Sequence, residues 1–413
     1  MMPKISRYAI ILLLIISQAI LLPNLYWMVF DKPATSPQVQ YSPIIKDFVF
    51  AEKSGNDTRY HDAKGNTYDR KSFETLLPFS YYYDLDKWGI LPDTIAGIPI
   101  SISFIRRNTQ FVRVRPVDLN TPLINLNPLF ESQSDYTRLE MPDYLFRIDK
   151  KFEFLDSRSN TVNDSLSRIF HEALMEQGFR FPARIIAGNP TTRKSFDEGY
   201  FIIDAQNRVF HLKQIKGQPI CSNTGIPTDL NIRYISIREH ARREFYGLLV
   251  TTANEVYLIG YDNYQLIKLP TRGYNADNMS LMLQIDPIYK TVRIFNKQEL
   301  YCTVMDQNYN IVDTFQIAMS PKSERFCSKV AALLFPLSVE RTNANTDYVL
   351  FNIQFAGWLA FIGIAVALLI AVFIKKRVYQ ENLRENWIDF LIVAISGLFG
   401  TLAVLLIRPE PWD

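Results

Sequence analysis

Three stretches without a charged residue, 8–30, 355–374 and 390–407, stand at the two ends of this chain and bracket an ordinary polar middle. At 1.5 Å per helical residue, each approaches or exceeds the roughly 30 Å of a bilayer's hydrocarbon core, so each reads as a transmembrane helix. A cleaved signal peptide is the alternative for the first. The run extends through Trp27-Met28-Val29-Phe30, however, and no small-residue cleavage site follows closely. Lys4 and Arg7 precede the first stretch, and Lys375, Lys376, Arg377 and Arg384 fill the short segment between the other two. Short loops rich in Lys and Arg stay in the cytoplasm. The topology that follows has the N-terminus and residues 375–389 inside, with residues 31 to about 350 and the tail after Arg408 outside.

This divides the chain into a signal-anchor (1–30), a large outer domain (31–347), a second span (348–374), a basic cytoplasmic loop (375–389) and a third span with a short external tail (390–413). Gly397 and Gly400 on the third span, and Gly357 and Gly363 on the second, are candidate helix-packing positions, because small residues let helices approach closely in lipid. Asp389 falls at the membrane edge and reads as interfacial. A formal net charge of +3 gives no reason to expect a nucleic acid as partner.

The middle region reads as short strands separated by turns, in keeping with the 28 Phe and 22 Tyr of the whole chain. Hairpins recur. Residues 201–210 align with 248–257, and these more loosely with 292–301, a spacing of 44–47 residues. The turns at 262–264 and 306–309 keep the same spacing, and 62–68 resembles 204–210. A period of 40–50 residues with about four strands per unit is the signature of a propeller. The expected fold is therefore mainly β, a propeller-like extracytoplasmic domain of six or seven irregular blades, with stacked hairpins lacking ring closure as the alternative. One segment breaks the pattern. Leu166, Ile169, Phe170, Ala173 and Leu174 follow helical spacing, so residues 163–178 are expected to form an inserted amphipathic helix, capped by Asn163 or Asp164 and ended by Gly178. A second interruption carries Tyr81, Tyr82, Tyr83 and Trp88. With Asn189 and Pro190 these form the candidate interaction surface, although such an aromatic cluster more often belongs to a core.

The four histidines lack metal-ligand spacing, and no phosphate-binding loop, nucleophile elbow or dinucleotide fingerprint occurs. No catalytic residue, metal or cofactor is expected. Cys221, Cys302 and Cys327 allow one disulfide or none.

The phrases Leu77-Pro78-Phe79, Tyr81-Tyr82, Leu91-Pro92-Asp93, then Phe179-x-Phe181-Pro182-Ala183, Gly188-Asn189-Pro190-Thr191, Lys194, and Asp197-Glu198-Gly199-Tyr200-Phe201 resemble a family of Gram-negative membrane proteins known as a domain of unknown function. Its members tend to be encoded beside ABC-transporter ATPases and permeases. The resemblance implies an inner-membrane accessory subunit or sensor with a permease as partner. An extracytoplasmic envelope hydrolase and a stand-alone ligand sensor are the alternatives.

Overall fold

The computed structural model describes residues 2–30, 37–54, 57–121, 125–318, 326–340, 352–382, 384 and 386–409. The expected boundaries at 31 and at 347–348, and the end of the tail, lie outside them. The chain forms two compact units. Thr35–Ala318 is one, and Met1–Ala34 with Met319–Asp413 is the other.

The first unit is mainly β. Its five principal sheets are antiparallel and run largely in chain order. The first comprises Gln38–Ser42, Asp47–Ser54, Asp57–Asp62 and Thr67–Tyr68; the second, Asn127–Pro128, Tyr144–Ile148 and Phe152–Asp156. The third comprises Ile185–Ala187, Tyr200–Ile203, Val209–Ile215 and Gln218–Asn223; the fourth, Ile232–Ile237, Phe245–Thr251, Val256–Gly260 and Leu266–Lys268. The fifth comprises Ser280–Ile285, Lys290–Phe295, Glu299–Met305 and Ile311–Ala318, and Gln110–Val114 adds a fifth strand beside Ser280–Ile285.

Shared apolar cores fix the neighbours. Phe146, Phe152 and Phe154 of the second sheet meet Tyr200, Ile202 and Phe210 of the third. Phe201 and Val209 meet Ile235 and Leu249 of the fourth, Leu248 and Leu258 meet Leu281 and Val292 of the fifth, and Leu300 and Val304 meet Val39 and Phe48 of the first. The second strands of the third and fourth sheets are buried at every residue, as expected where both faces are covered. The first and second sheets share no core cluster among the described residues.

Among the described residues, five principal sheets and one two-stranded pairing, Thr94–Ile95 with Ile98–Pro99, account for this region, not six or seven similar units. Residues 69–121 fold mostly into short helices, Arg70–Thr75, Tyr82–Lys87, Ile102–Asn108 and Pro116–Asn120, so the period does not run through them. The expected amphipathic helix is Asp164–Glu176, and the Asn163 side chain accepts a hydrogen bond from Leu166 N. Its buried Phe170 and Leu174 join the core of the second and third sheets. The turns at 204–208 and 251–255 both join second to third strands. Asp62–Asn66, however, joins third to fourth, so the 62–68 alignment is displaced by one strand. The cause is chemical. An Asp carboxylate that accepts N–H groups two and four residues on closes either turn, and Asp62, Asp204 and Asp306 all do so.

In the second unit two helices are long and apolar enough to cross a membrane, Ile5–Phe30 and Trp358–Val378, with mean hydropathies of 2.1 and 2.5. The third apolar stretch departs from expectation. It is two helices, Trp387–Ser396 and Leu398–Leu406, folded back on each other at Gly397. Their free ends lie together. Arg7 donates to both carboxylate oxygens of Asp389 (2.9 and 2.8 Å) and to Ile407 O (3.0 Å), and the Arg408 guanidinium lies 3.6 Å from the Tyr379 ring centroid. The tip lies elsewhere, with Phe399 stacked on Phe335 at 5.9 Å. The arms of 10 and 9 residues are about 15 Å and 13 Å long. The stretch is therefore not a third span. Its tail starts beside Arg7 and Tyr379, at the end where the basic loop begins.

Candidate functional site

The loop between the first and second strands of the third sheet, residues 188–199, carries the motif Gly188-Asn189-Pro190 through Lys194 to Asp197-Glu198-Gly199. The strand that follows is wholly buried, so the loop's polar groups arrive at the edge of a core and must find partners there. Lys194 Nζ donates to Asn189 O (2.7 Å), to Glu239 Oε1 (2.8 Å) and to Asp197 Oδ1. Asn189 Nδ2 donates to Glu239 Oε2 (2.7 Å). Asp197 Oδ2 accepts from Gly199 N (2.9 Å) and Ser132 Oγ (3.2 Å). The Lys194, Asp197 and Glu239 side chains are 3%, 0% and 0% exposed, so one buried cation faces two buried carboxylates. Burial holds the Asp197 carboxyl above its usual range, although Lys194 pulls the other way. Gly199 closes the loop at φ +69°, where a Cβ would come within 2.1 Å of Leu212 O.

Glu198 faces a second set of partners. Its carboxylate accepts from Lys213 Nζ and from Tyr261 OH (3.0 Å), and its carbonyl accepts from His211 Nε2 (2.5 Å). A carbonyl only accepts, so the His211 proton sits on Nε2, and Nδ1 is left to accept from Tyr264 OH (3.0 Å). Burial pushes His211 down to about 3, which keeps the imidazole neutral.

A similar arrangement recurs one sheet on. Glu244, just before the second strand of the fourth sheet, accepts from Lys290 Nζ, from Tyr309 OH (2.6 Å) and from Arg242 Nε (3.1 Å). Burial alone would raise Glu244; Lys290 and Tyr309 outweigh it and hold it low. Arg242 also donates to Gln307 Oε1 (2.9 Å), and Lys290 to Gln307 O (2.7 Å). In the corresponding loop of the fifth sheet, Asp286 accepts from Ile288 N (2.8 Å) and Tyr289 N (2.7 Å), and burial pushes it up to about 6. Charges in or beside these loops thus pair from the third sheet to the fourth, Lys194 with Glu239, and from the fourth to the fifth, Glu244 with Lys290, whereas Asp286 is held by its own loop. Chemically, these groups neutralise and orient one another, and the network is a fastener between sheets.

The sequence-predicted surface divides into two parts. Tyr82 and Tyr83 lie on a short helix with ring centroids 4.4 Å apart, Tyr81 lies against Phe73 at 6.5 Å, and Lys71 lies over Trp88 at 5.2 Å. Tyr83 is 57% exposed. Asn189 belongs to the buried network instead, and Pro190 is exposed beside it. Of the four glycines, Gly363 meets the backbone of Leu333, where a Cβ would lie 1.8 Å from its carbonyl oxygen. Gly397 forms the hairpin tip at φ +59°, with Pro336 and Ile364 close by, and Gly400 faces Ser396 and Ile392 of the preceding arm. Gly357, at φ +79°, has open space around its Cβ position and starts the Trp358 helix. The first three pack against this chain itself.

Glu239, Glu244, Lys290, Lys213 and His211 belong to no short motif. The available signal was a charge abutting an apolar run, as in Glu244 before Phe245–Thr251. Among the described residues no group of three or more His, Cys, Asp or Glu is placed to hold a metal. All three cysteines are free thiols, and burial pushes Cys221 and Cys302 up to about 12.

No curated protein matches this chain. A family model, that of a domain of unknown function designated DUF4857, matches residues 38–305, from the first strand of the first sheet to the third strand of the fifth, and includes every member of the ionic network except Gln307 and Tyr309. The chain belongs to that family.

Proposed function

We propose that the protein is a membrane-anchored binding or scaffold module, with a propeller-like β unit on the extracytoplasmic face, serving as accessory subunit or sensor of an ABC-type transporter in the inner membrane. One observation carries the membrane reading. Of the most apolar windows of the two long helices, only 11% and 28% are buried, whereas the core helix of a water-soluble protein would be mostly covered. Leu12, Leu13, Ile16, Leu369 and Phe373 stand exposed in a way that only lipid or another apolar surface makes favourable.

Orientation follows from charge. Arg7, Lys375, Lys376, Arg377 and Arg408 gather at one end of the unit, the cytoplasmic end by the bias of Lys and Arg. The opposite ends of both long helices, at Phe30 and Trp358, then lead outward to the β unit. The scaffold reading is supported by the family phrases themselves, whose polar side chains, Asn189, Lys194, Asp197 and Glu198, are engaged within the chain, with Glu239, Lys213 and Tyr261 among their partners. The transporter partner rests on the family resemblance, together with the lack of any nucleotide-binding motif, which assigns energy supply to another chain.

The test is an alkaline phosphatase fusion after residue 200, combined with copurification from native membranes. An active fusion and a recovered permease are expected. An inactive fusion overturns the orientation, and recovery of the protein alone under mild extraction overturns the partner role.

A further inference from the structure

We propose that a cavity of about 410 Å³ in the membrane unit is a binding site for one anionic phospholipid, its acyl chain inside and its phosphate at Lys329. The inference rests on the membrane reading above. The walls come from separate elements: Pro23 and Trp27 of the N-terminal helix, Ala332 of the helix Phe326–Leu334, and Phe355 and Trp358 at the start of the second long helix.

Two helices measure the depth of this cavity. Pro23 to Trp27 lie 16 to 20 residues beyond Arg7, about 24–30 Å at 1.5 Å per residue. Trp358 lies 17 residues from Lys375, about 25 Å. Arg7 and Lys375 share the carboxylate of Asp389 and mark one boundary of the apolar layer. The cavity therefore sits at the other boundary, where a core of about 30 Å ends and headgroups begin. Tryptophan on two walls is the side chain that prefers this level.

The chemistry of the lining selects the occupant. Alanines and aromatic rings form most of the walls, with Ser328, Ser338 and Gln354 among them, and among the described residues the lining's one charge is that of the exposed Lys329. A free phosphate would gain nothing from the apolar walls, and an uncharged lipid would leave Lys329 without a counter-charge. An anionic lipid meets both, and at this depth lipid is the surrounding solvent. Phe355 and Trp358, 50% and 71% exposed, form a wall that a chain can slide past from the bilayer.

The experiment uses the full chain, extracted in mild detergent and exchanged into defined mixtures of phosphatidylglycerol and phosphatidylcholine. Native mass spectrometry should show one retained phosphatidylglycerol, with occupancy falling at least about tenfold in Ala332→Phe and the preference for phosphatidylglycerol vanishing in Lys329→Glu. Millimolar inorganic phosphate should not displace the lipid. Brominated phosphatidylglycerol should quench a single-tryptophan variant that keeps Trp358. Equal retention of both lipids by the wild type, no retained lipid, unquenched Trp358, or displacement by free phosphate each overturns the site. Carbonate washing of membranes separates the two claims: a chain released by carbonate sinks the membrane reading, and one that stays but retains no lipid sinks only this site.

Discussion

Lys194 offsets the mutual repulsion of two carboxylates at a site closed to bulk solvent. Replacing it with Met keeps most of the volume and removes the charge, so Asp197 and Glu239 confront each other buried. Breaking a buried pair in this way destabilises by about 3–5 kcal/mol. The midpoint of urea unfolding should fall accordingly, and the pairing with Glu239 should appear as a coupling energy in a double-mutant cycle; a loss below about 1 kcal/mol would contradict the network. Asp286 gives a prediction of different kind. Its carboxyl is raised from 3.8 to about 6, so between these values the folded state holds a proton that the unfolded state has released. Stability from this group is present below pH 4 and is lost as pH rises through 6, by on the order of 3 kcal/mol. Asp286→Asn keeps an acceptor for Ile288 and Tyr289 without the charge. It should match the wild type near pH 4 and exceed it at pH 7, by thermal melts across that range. Asn189, Lys194, Asp197 and Glu198 were visible in the sequence as members of the family phrases, but Asp197 and Glu198 read as solvated turn residues and are in fact buried. Their partners Glu239, Lys213 and Tyr261 were not visible, because which loop meets which is set by how sheets stack, and no local spacing encodes that.

Among the elements, the amphipathic helix was read almost to the residue, because both its apolar period and its Asn163 cap are local. The third apolar stretch was misread for the opposite reason. Hydropathy registers that residues 390–407 avoid water, and a hairpin inside an apolar layer avoids it equally well. The direction changes at Gly397, which adopts a positive φ with Pro336 close by. A tag after residue 409 should therefore be labelled from the same side as a tag before residue 2, in sealed vesicles with a membrane-impermeant reagent. Labelling from opposite sides would restore the three-span topology. Gly397→Leu adds a side chain in the left-handed region, at about 1–2 kcal/mol for the backbone alone, and drives it toward Pro336. Lower detergent stability with unchanged membrane insertion is the expected result.

At the scale of the whole molecule, the β unit is one continuous insertion between the two sequence segments of the other unit. It has its own cores, and its two cysteines are thiols. Residues 35–318 expressed alone should give a β-type circular dichroism spectrum and a cooperative melt that reductant leaves unchanged. A melt shifted by dithiothreitol would reveal a disulfide that the fold does not require. The repeat was legible at this scale because the first, third and fifth sheets close a turn with the same Asp chemistry. The number of sheets was not, because helical segments between the first and second sheets occupy length that a uniform period assigns to strands.

Arg7 and Asp389 are 382 positions apart, and Lys375 shares that carboxylate. At roughly 5–20 residues per second, ribosomes deliver Asp389 on the order of tens of seconds after Arg7. For that interval the nascent chain carries Arg7 without its counter-charge, and a product that stops short of the final hairpin carries it permanently, with Lys375 beside it once made. In such a chain Lys375 keeps Glu381 as a partner at 2.6 Å, whereas Arg7 lacks the carboxylate that it meets in the finished molecule. The Asp389 carboxylate therefore dates the molecule: its arrival distinguishes a finished chain from an interrupted one.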